Sequence, residues 1–179
     1  LRAERLQNAR NAAEDAVEAA ADDPEARDEA RILLARISHG LGRTARAIEL
    51  VQDVLDNRPD DAGLYLLLGR IYLDSNVYDR AEEALKQAQT LAADDAEPHR
   101  LLGDVYLERR LFDQAIAAYE QAVDLDASQR NRGALENAFA EKKRSLEFGA
   151  NRPRIVLRDL RFDPVFAAAY KQYTDESFG

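Results

Sequence analysis

Two stretches of this chain lie over each other without a gap, and that constrains its fold more than any other feature. When AGLYLLLGRIYLDSNVYDRAEEALKQAQTLAADD (62–95) is set over AEPHRLLGDVYLERRLFDQAIAAYEQAVDLDASQ (96–129), 13 of 34 positions are identical. The identities are Ala62, Leu67, Leu68, Gly69, Tyr72, Leu73, Asp79, Ala81, Ala84, Gln87, Ala88, Leu91 and Ala93, each with its counterpart 34 residues on. A fainter copy occupies 28–61, where Leu34-Ala35 stands for the Leu-Gly pair, Ala47 for Ala81, and Pro59 closes the unit. A fixed period of this length marks an array whose units pack only on their neighbours.

Each period reads as two antiparallel helices. Apolar residues recur at helical spacing over 64–73 and again over 81–91. DSNVYD between them supplies the turn, with Asp79 expected as N-cap of the second helix. Gly69, Ala81 and Ala88 recur as Gly103, Ala115 and Ala122, small residues for places where backbones approach closely. Tyr72/Tyr106 and Leu85/Tyr119 are expected to fill the space between neighbouring pairs. Before the copies, residues 1–27 read as an N-terminal helix, a partial repeat or cap, with Ala13, Val17 and Ala20 in second-helix phase and Pro24 as its breaker. After them, residues 130–149 read as a solvating helix with Leu135, Ala138, Phe139 and Leu146 in one stripe, stopped by Gly149 and Pro153.

This pattern resembles the tetratricopeptide repeat. Leu68-Gly69-x-x-Tyr72, Ala81, Leu85 and Ala88 carry the resemblance, and Leu102-Gly103-x-x-Tyr106, Ala115, Tyr119 and Ala122 repeat it. It implies an all-α fold, a right-handed superhelical array of helix pairs, with repeats at 28–61, 62–95 and 96–129. The chain departs from the family pattern in places. The large aromatic near the start of each repeat is Arg31, Tyr65 and His99, and in 28–61 the Tyr and third small positions are Ser38 and Val54.

In such arrays the first helix of each pair lines a concave groove. Carried over by repeat position, the resemblance implies that Glu29, Ile32, Arg36, His39, Leu66, Arg70, Leu73, Asp74, Glu97, Arg100, Asp104, Leu107 and Glu108 face a protein or peptide partner. A row formed by Arg36, Arg70 and Arg100 suits bidentate grip on carboxylates. Asp74, Asp104 and Glu108 stand beside them, so internal ion pairing is the competing reading. The family's carboxylate clamp has Asn where this chain has Arg36, Arg70 and Asp104, so that activity is not implied.

Catalysis finds little support. His39 and His99 lie in different repeats without the companions a metal needs, and the chain has no Cys, so neither metal nor cofactor is expected. Ser38 and His39 are adjacent and point apart, which excludes a triad. Phosphate-cradling Gly motifs are absent. The net charge of −9 divides as −5 over 1–61 (9 bases, 14 acids), −7 over 62–129 (6 and 13) and +3 over 130–179 (10 and 7). Nucleic acid is therefore not expected as a partner of the acidic array, since phosphate backbones need a clustered basic face. Direct membrane insertion is not expected, because no apolar run approaches about eighteen residues.

The tail, 150–179, changes character. A basic, β-prone stretch with Arg152, Arg154, Arg158 and Arg161 reads as an extended linker. Asp163-Pro164 then opens a short helix with Val165, Phe166, Ala169, Tyr170 and Tyr173 on one face. Phe166, Tyr170 and Tyr173 are expected to dock on the last repeat, or else to form a homodimer contact. Phe166, Tyr170, Lys171 and Tyr173 also resemble an F-x-x-x-Y-K-x-Y segment that follows tetratricopeptide arrays in some spirochaete envelope proteins. That resemblance implies a junction to a further domain and a bacterial periplasmic or envelope location rather than a cytoplasmic one. A chain that starts at Leu1 and has no Met is expected to be a piece of a longer protein.

Three functions follow. The leading expectation is a non-catalytic protein-interaction scaffold that holds a peptide or partner domain in its groove. A rigid spacer within an envelope protein is the second, and an accessory to small-molecule uptake the third. Groove chemistry separates them: unpaired Arg beside accessible Leu for binding, neutralised charge for a spacer, a closed apolar pocket for uptake.

Overall fold

The computed structural model describes residues 2–150. Eight helices follow one another, and among the described residues there is no strand. They are α1 (Arg2–Ala19), α2 (Pro24–Gly40), α3 (Thr44–Leu55), α4 (Ala62–Asp74), α5 (Tyr78–Leu91), α6 (Ala96–Glu108), α7 (Phe112–Leu125) and α8 (Gln129–Ala150). The chain divides into two units, the first ending at Ala140 and the second beginning at Glu141. The first is an α-solenoid of antiparallel hairpins, α2–α3, α4–α5 and α6–α7, with α1 packed on α2.

The period is written into the turns as well as the helices. Second helices begin at Thr44, Tyr78 and Phe112, each 34 residues after the last. Just before them Gly42, Asn76 and Arg110 take φ of 74°, 59° and 60°. The next residue's N–H then donates back to the carbonyl of Ser38, Tyr72 or Tyr106, at 2.8, 2.9 and 2.8 Å. This left-handed closing turn satisfies the last carbonyls of the first helix and reverses the chain within a few residues. It works even in the faint copy, where Gly42 supplies the left-handed residue at little steric cost.

These turns correct one expectation. Asp79 is not the N-cap of α5; Val77 holds that place, and α3, α5 and α7 have no side-chain cap at all. The closing turn has already set the chain's direction, and Asp79 stands in the first turn, where its charge meets the positive end of the helix dipole. Side-chain caps serve the first helices instead. Asp23 accepts from the N–H of Glu25 and Ala26, Asp61 from Gly63 and Leu64, and Asp95 from Glu97. With Asp23 as cap, Pro24 is the first residue of α2, not only a breaker, and α2 starts before residue 28.

Packing explains the small residues. A Cβ on Gly69 would lie 2.5 Å from Leu85, and one on Gly103 would lie 2.5 Å from the Tyr119 ring. Leu85 and Tyr119 thus fill the gap within their own hairpin rather than between pairs, because the missing side chain draws the partner helix over it. The same two positions in the faint copy hold Ala35 and Val51, both wholly buried. A methyl on one helix is matched there by a smaller side chain on the other, which keeps the volume filled. Between pairs, the Tyr106 hydroxyl donates to Glu82 at 3.0 Å, and Arg109 reaches the same carboxylate at 2.7 Å.

Within the first unit α8 closes the array with half of its expected stripe. Leu135 and Ala138 pack with Ala115, Ile116 and Tyr119. Phe139, at 49 % exposure, faces away from that cluster. Buried Asn131 donates from Nδ2 to the carbonyls of Ala122 and Asp126 at 3.2 and 2.8 Å, tying α8 to the end of α7, where the Ala122 carbonyl also accepts from the Asp126 N–H. In the second unit the helix runs on to Ala150, with Arg144 paired to Glu141 and Leu146 exposed. No described helix is long and apolar enough to cross a membrane. The expected linker and the docking residues Phe166, Tyr170 and Tyr173 lie outside the described residues.

Candidate functional site

The residues expected in the groove fall into two environments. Between α2 and α4 lies a hollow of about 330 Å³ lined by Arg36, His39, Gly63, Leu66, Leu67 and Arg70. Arg36 is exposed and has no hydrogen bond or ion pair among the described residues. Leu33, 53 % exposed, stands three residues earlier on the same helix and so shares its face. Arg70 Nη2 donates to Glu97 Oε1 at 2.6 Å, with 43 % of the Arg70 side chain still exposed. His39 Nε2 meets Asp74 Oδ2 at 2.8 Å, bridging the two helices, while its Nδ1 is buried without a partner. Leu66 and Leu73 are half-buried and pack against the core from this side.

The α6 segment is different. Arg100 is only 6 % exposed. Its Nε and Nη2 donate to the two oxygens of Glu97 at 2.9 and 2.7 Å, and its Nη1 donates to Asp104 at 2.7 Å. The Tyr119 hydroxyl donates to the other Asp104 oxygen at 2.6 Å. Arg130 adds a third cation to Glu97 at 3.5 Å. The Arg100 hydrogen bonds hold the Glu97 carboxyl below the usual carboxylate range, against the opposing effect of its partial burial. Burial, then the negative charge of Asp104, pushes the Tyr119 phenol well above its usual value, so it stays a donor. Burial would lower Arg100, but its two carboxylates outweigh that and raise it. Leu107 packs against the α7–α8 cluster, and Glu108 is exposed.

A second hollow, about 360 Å³, opens at the loop ends among Asp94, Asp95, Glu97, Asp126, Ser128, Arg130 and Asn131. Its carboxylates are mostly engaged: Asp95 caps α6, Glu97 serves three Arg, and Asp126 accepts from Asn131. Among the described residues no three His, Asp or Glu side chains gather into a metal-holding group. His99 is buried, its Nδ1 2.9 Å from Gln121 Oε1 and its Nε2 3.2 Å from Gln89 Nε2, as a strut between α5, α6 and α7.

Sequence reasoning did not single out Gly63, Leu67 or Leu33 for this face. Leu67 repeats as Leu101, so its identity reads as core; the difference is that Leu101 is 4 % exposed while Leu67 is only partly buried and Leu33 is open. The gradient comes from position in the array, which no single repeat encodes.

Tetratricopeptide-repeat models match residues 1–62, 38–105 and 100–129, and together they cover 1–129 of the 179 residues. No curated protein sequence matches the chain. Among solved structures it is similar to the crystal structure of MamA, at 24 % identity over 77 % of this chain and 79 % of that one, with a TM-score of 0.65. It is similar also to the tetratricopeptide domain of Arabidopsis OM64, at 13 % identity over 62 % and 93 % of the two chains, TM-score 0.58. A third is the first tetratricopeptide domain of Spaghetti (RPAP3), bound to the HSP90 peptide SRMEEVD, at 14 % identity over 65 % and 93 %, TM-score 0.60. At such identities the likeness is one of fold. Period, closing turns and sequence matches agree over the same residues, and the chain belongs to the tetratricopeptide-repeat family, with the α-solenoid fold of such repeats.

Proposed function

We propose that this chain is a scaffold that holds a peptide, or an extended segment of a partner protein, in the hollow between α2 and α4. Arg36 carries the reading: it is an exposed guanidinium with no partner among the described residues, set in the same hollow as Leu66 and Leu67. An Arg beside accessible apolar side chains offers directional hydrogen bonds and dry contact area together, the combination enriched where binding energy concentrates. The Spaghetti domain holds a peptide on a related fold, which supports a peptide-sized occupant here by analogy.

The α6 segment supports a second role in the same molecule. Its cation is enclosed by carboxylates, as expected of a stiff spacer, so one part of the array grips while the other holds shape. Small-molecule uptake is less well supported, because three of the five side chains around the hollow are Arg36, His39 and Arg70 rather than apolar groups.

A photo-crosslinking residue in place of Leu66 tests the reading. In extract of the source cells it should join a discrete partner that the same residue in place of exposed Glu120 on α7 does not. Equal products from both positions, or none from position 66, would overturn it.

A further inference from the structure

We infer that the α2–α4 hollow is a carboxylate site with an internal competitor. Arg36 takes an acidic side chain of the partner directly, and Arg70 takes a second one only by releasing Glu97. This rests on the groove reading above and names the chemistry of what enters.

Charge complementarity is the first support. Residues 1–129 hold 15 bases and 27 acids (9 and 6; 14 and 13), a net of −12. Against that background the hollow is lined by Arg36, His39 and Arg70 and by no carboxylate. An acidic segment would be repelled by most of the array and attracted to the two arginines of this hollow, which favours register as well as affinity. Leu66 and Leu67 beside the cations suit a segment in which acidic and apolar residues alternate.

The competitor follows from the geometry of Glu97. Both of its oxygens are already held by Arg100, and Arg130 lies 3.5 Å away, so Glu97 does not depend on Arg70 for neutralisation. Arg70, by contrast, has Glu97 as its one ion-pair partner among the described residues and keeps 43 % of its side chain exposed. Moving Arg70 from Glu97 to an incoming carboxylate exchanges one ion pair for another and leaves no buried charge unpaired. Glu97 therefore sets how readily the second anchor engages. Arg36 has no such restraint.

Two labelled heptapeptides test this, one alternating Glu and Leu with amidated end, the other with Gln for every Glu. Fluorescence anisotropy should show the Glu peptide binding about tenfold or more tighter, the difference expected of a charge-assisted hydrogen bond. Arg36→Gln should remove most of that preference. Glu97→Gln should tighten the Glu peptide several-fold, and adding Arg70→Gln should cancel the gain. Should Glu97→Gln fail to fold, Arg70→Gln alone carries the test by leaving a reduced preference that depends on Arg36. Equal binding of the two peptides overturns the inference, and so does weaker Glu-peptide binding in Glu97→Gln, which would make Glu97 a support for Arg70. The Leu66 cross-link separates the two readings. If it persists while the peptides bind alike, the carboxylate inference falls alone; if it is lost as well, the groove reading falls with it.

Discussion

Arg36 on α2 and Arg100 on α6 point the same lesson from opposite sides. Both belong to first helices of repeats, and their side chains are chemically identical. Arg36 is exposed and, among the described residues, unpaired, whereas Arg100 is buried with its donors spread over Glu97 and Asp104. The cause is the neighbourhood each repeat supplies. The positions one turn to either side of Arg100 are Glu97 and Asp104, with Tyr119 from α7 closing over them. Around Arg36 the corresponding reach meets Leu33 and the hollow. Formal charge along a repeat protein is thus a poor guide to the charge it can offer a partner.

The strongest way to break this comparison is to delete both side chains. Arg100→Ala should cost about 3 kcal/mol, because it strips Glu97 and Asp104 of their shared counter-ion. Arg36→Ala should stay within about 0.5 kcal/mol of the parent. Similar denaturant midpoints for the two variants would mean that the enclosed network is not what holds the α6 segment.

The next test asks whether packing, rather than charge, distinguishes the two regions. Gly69→Ala should cost about 2 kcal/mol by driving a methyl into Leu85. Leu85→Val should relieve part of that, following the Ala35 and Val51 pairing of the first repeat, so the double variant should lose less than the sum. Strict additivity would show that the two positions do not share one space.

A smaller effect comes from pH. Glu97 has a folded-state pKa below its ordinary value of 4.5, set chiefly by its hydrogen bonds from Arg100. Its contribution is therefore complete above 4.5 and is lost as pH falls through the lower folded-state value. The gap in thermal midpoint between parent and Glu97→Gln should be steady near neutrality and shrink in acid. A gap that holds constant down to pH 3 would remove Glu97 from the linkage, that pH being roughly a unit and a half below an ordinary carboxyl. Smallest of all, Arg110→Gly should stabilise by about 0.5 kcal/mol, since it relieves a left-handed backbone at an exposed position.

Much of the fold is legible because it rests on side-chain size. Gly69, Gly103, Ala81 and Ala115 must be small wherever helices touch, so they recur and announce the period. The turns are less legible because they are made by backbone. Gly42, Asn76 and Arg110 share one conformation and no chemistry, and Asp79 looks like a cap while Asp61 and Asp95 perform that work. Ion pairing is least legible. Arg70 has Asp74 one turn away in its own helix, yet its partner is Glu97, and Asp74 goes to His39. Which carboxylate wins depends on the offset between repeats, and that offset has no signature in residue identity. Phe139 illustrates the reverse: a stripe drawn from helical spacing includes it, but the α7–α8 contact is only wide enough for Leu135 and Ala138.

The bonds that tie one repeat to the next span short stretches of chain: 24 residues from Tyr106 to Glu82, 27 from Arg70 to Glu97, 35 from His39 to Asp74. Loop-closure entropy for such distances is modest, and no contact among these waits for the chain's ends to meet. Folding can then begin at any well-formed hairpin and spread outward, with speed set by local contacts. The α4–α5 and α6–α7 pairs, which carry the complete small-residue pattern, are the natural starting points. The first repeat would form on top of them and be the earlier to open, which gives the hollow beside Arg36 a softer wall on its α2 side than on its α4 side.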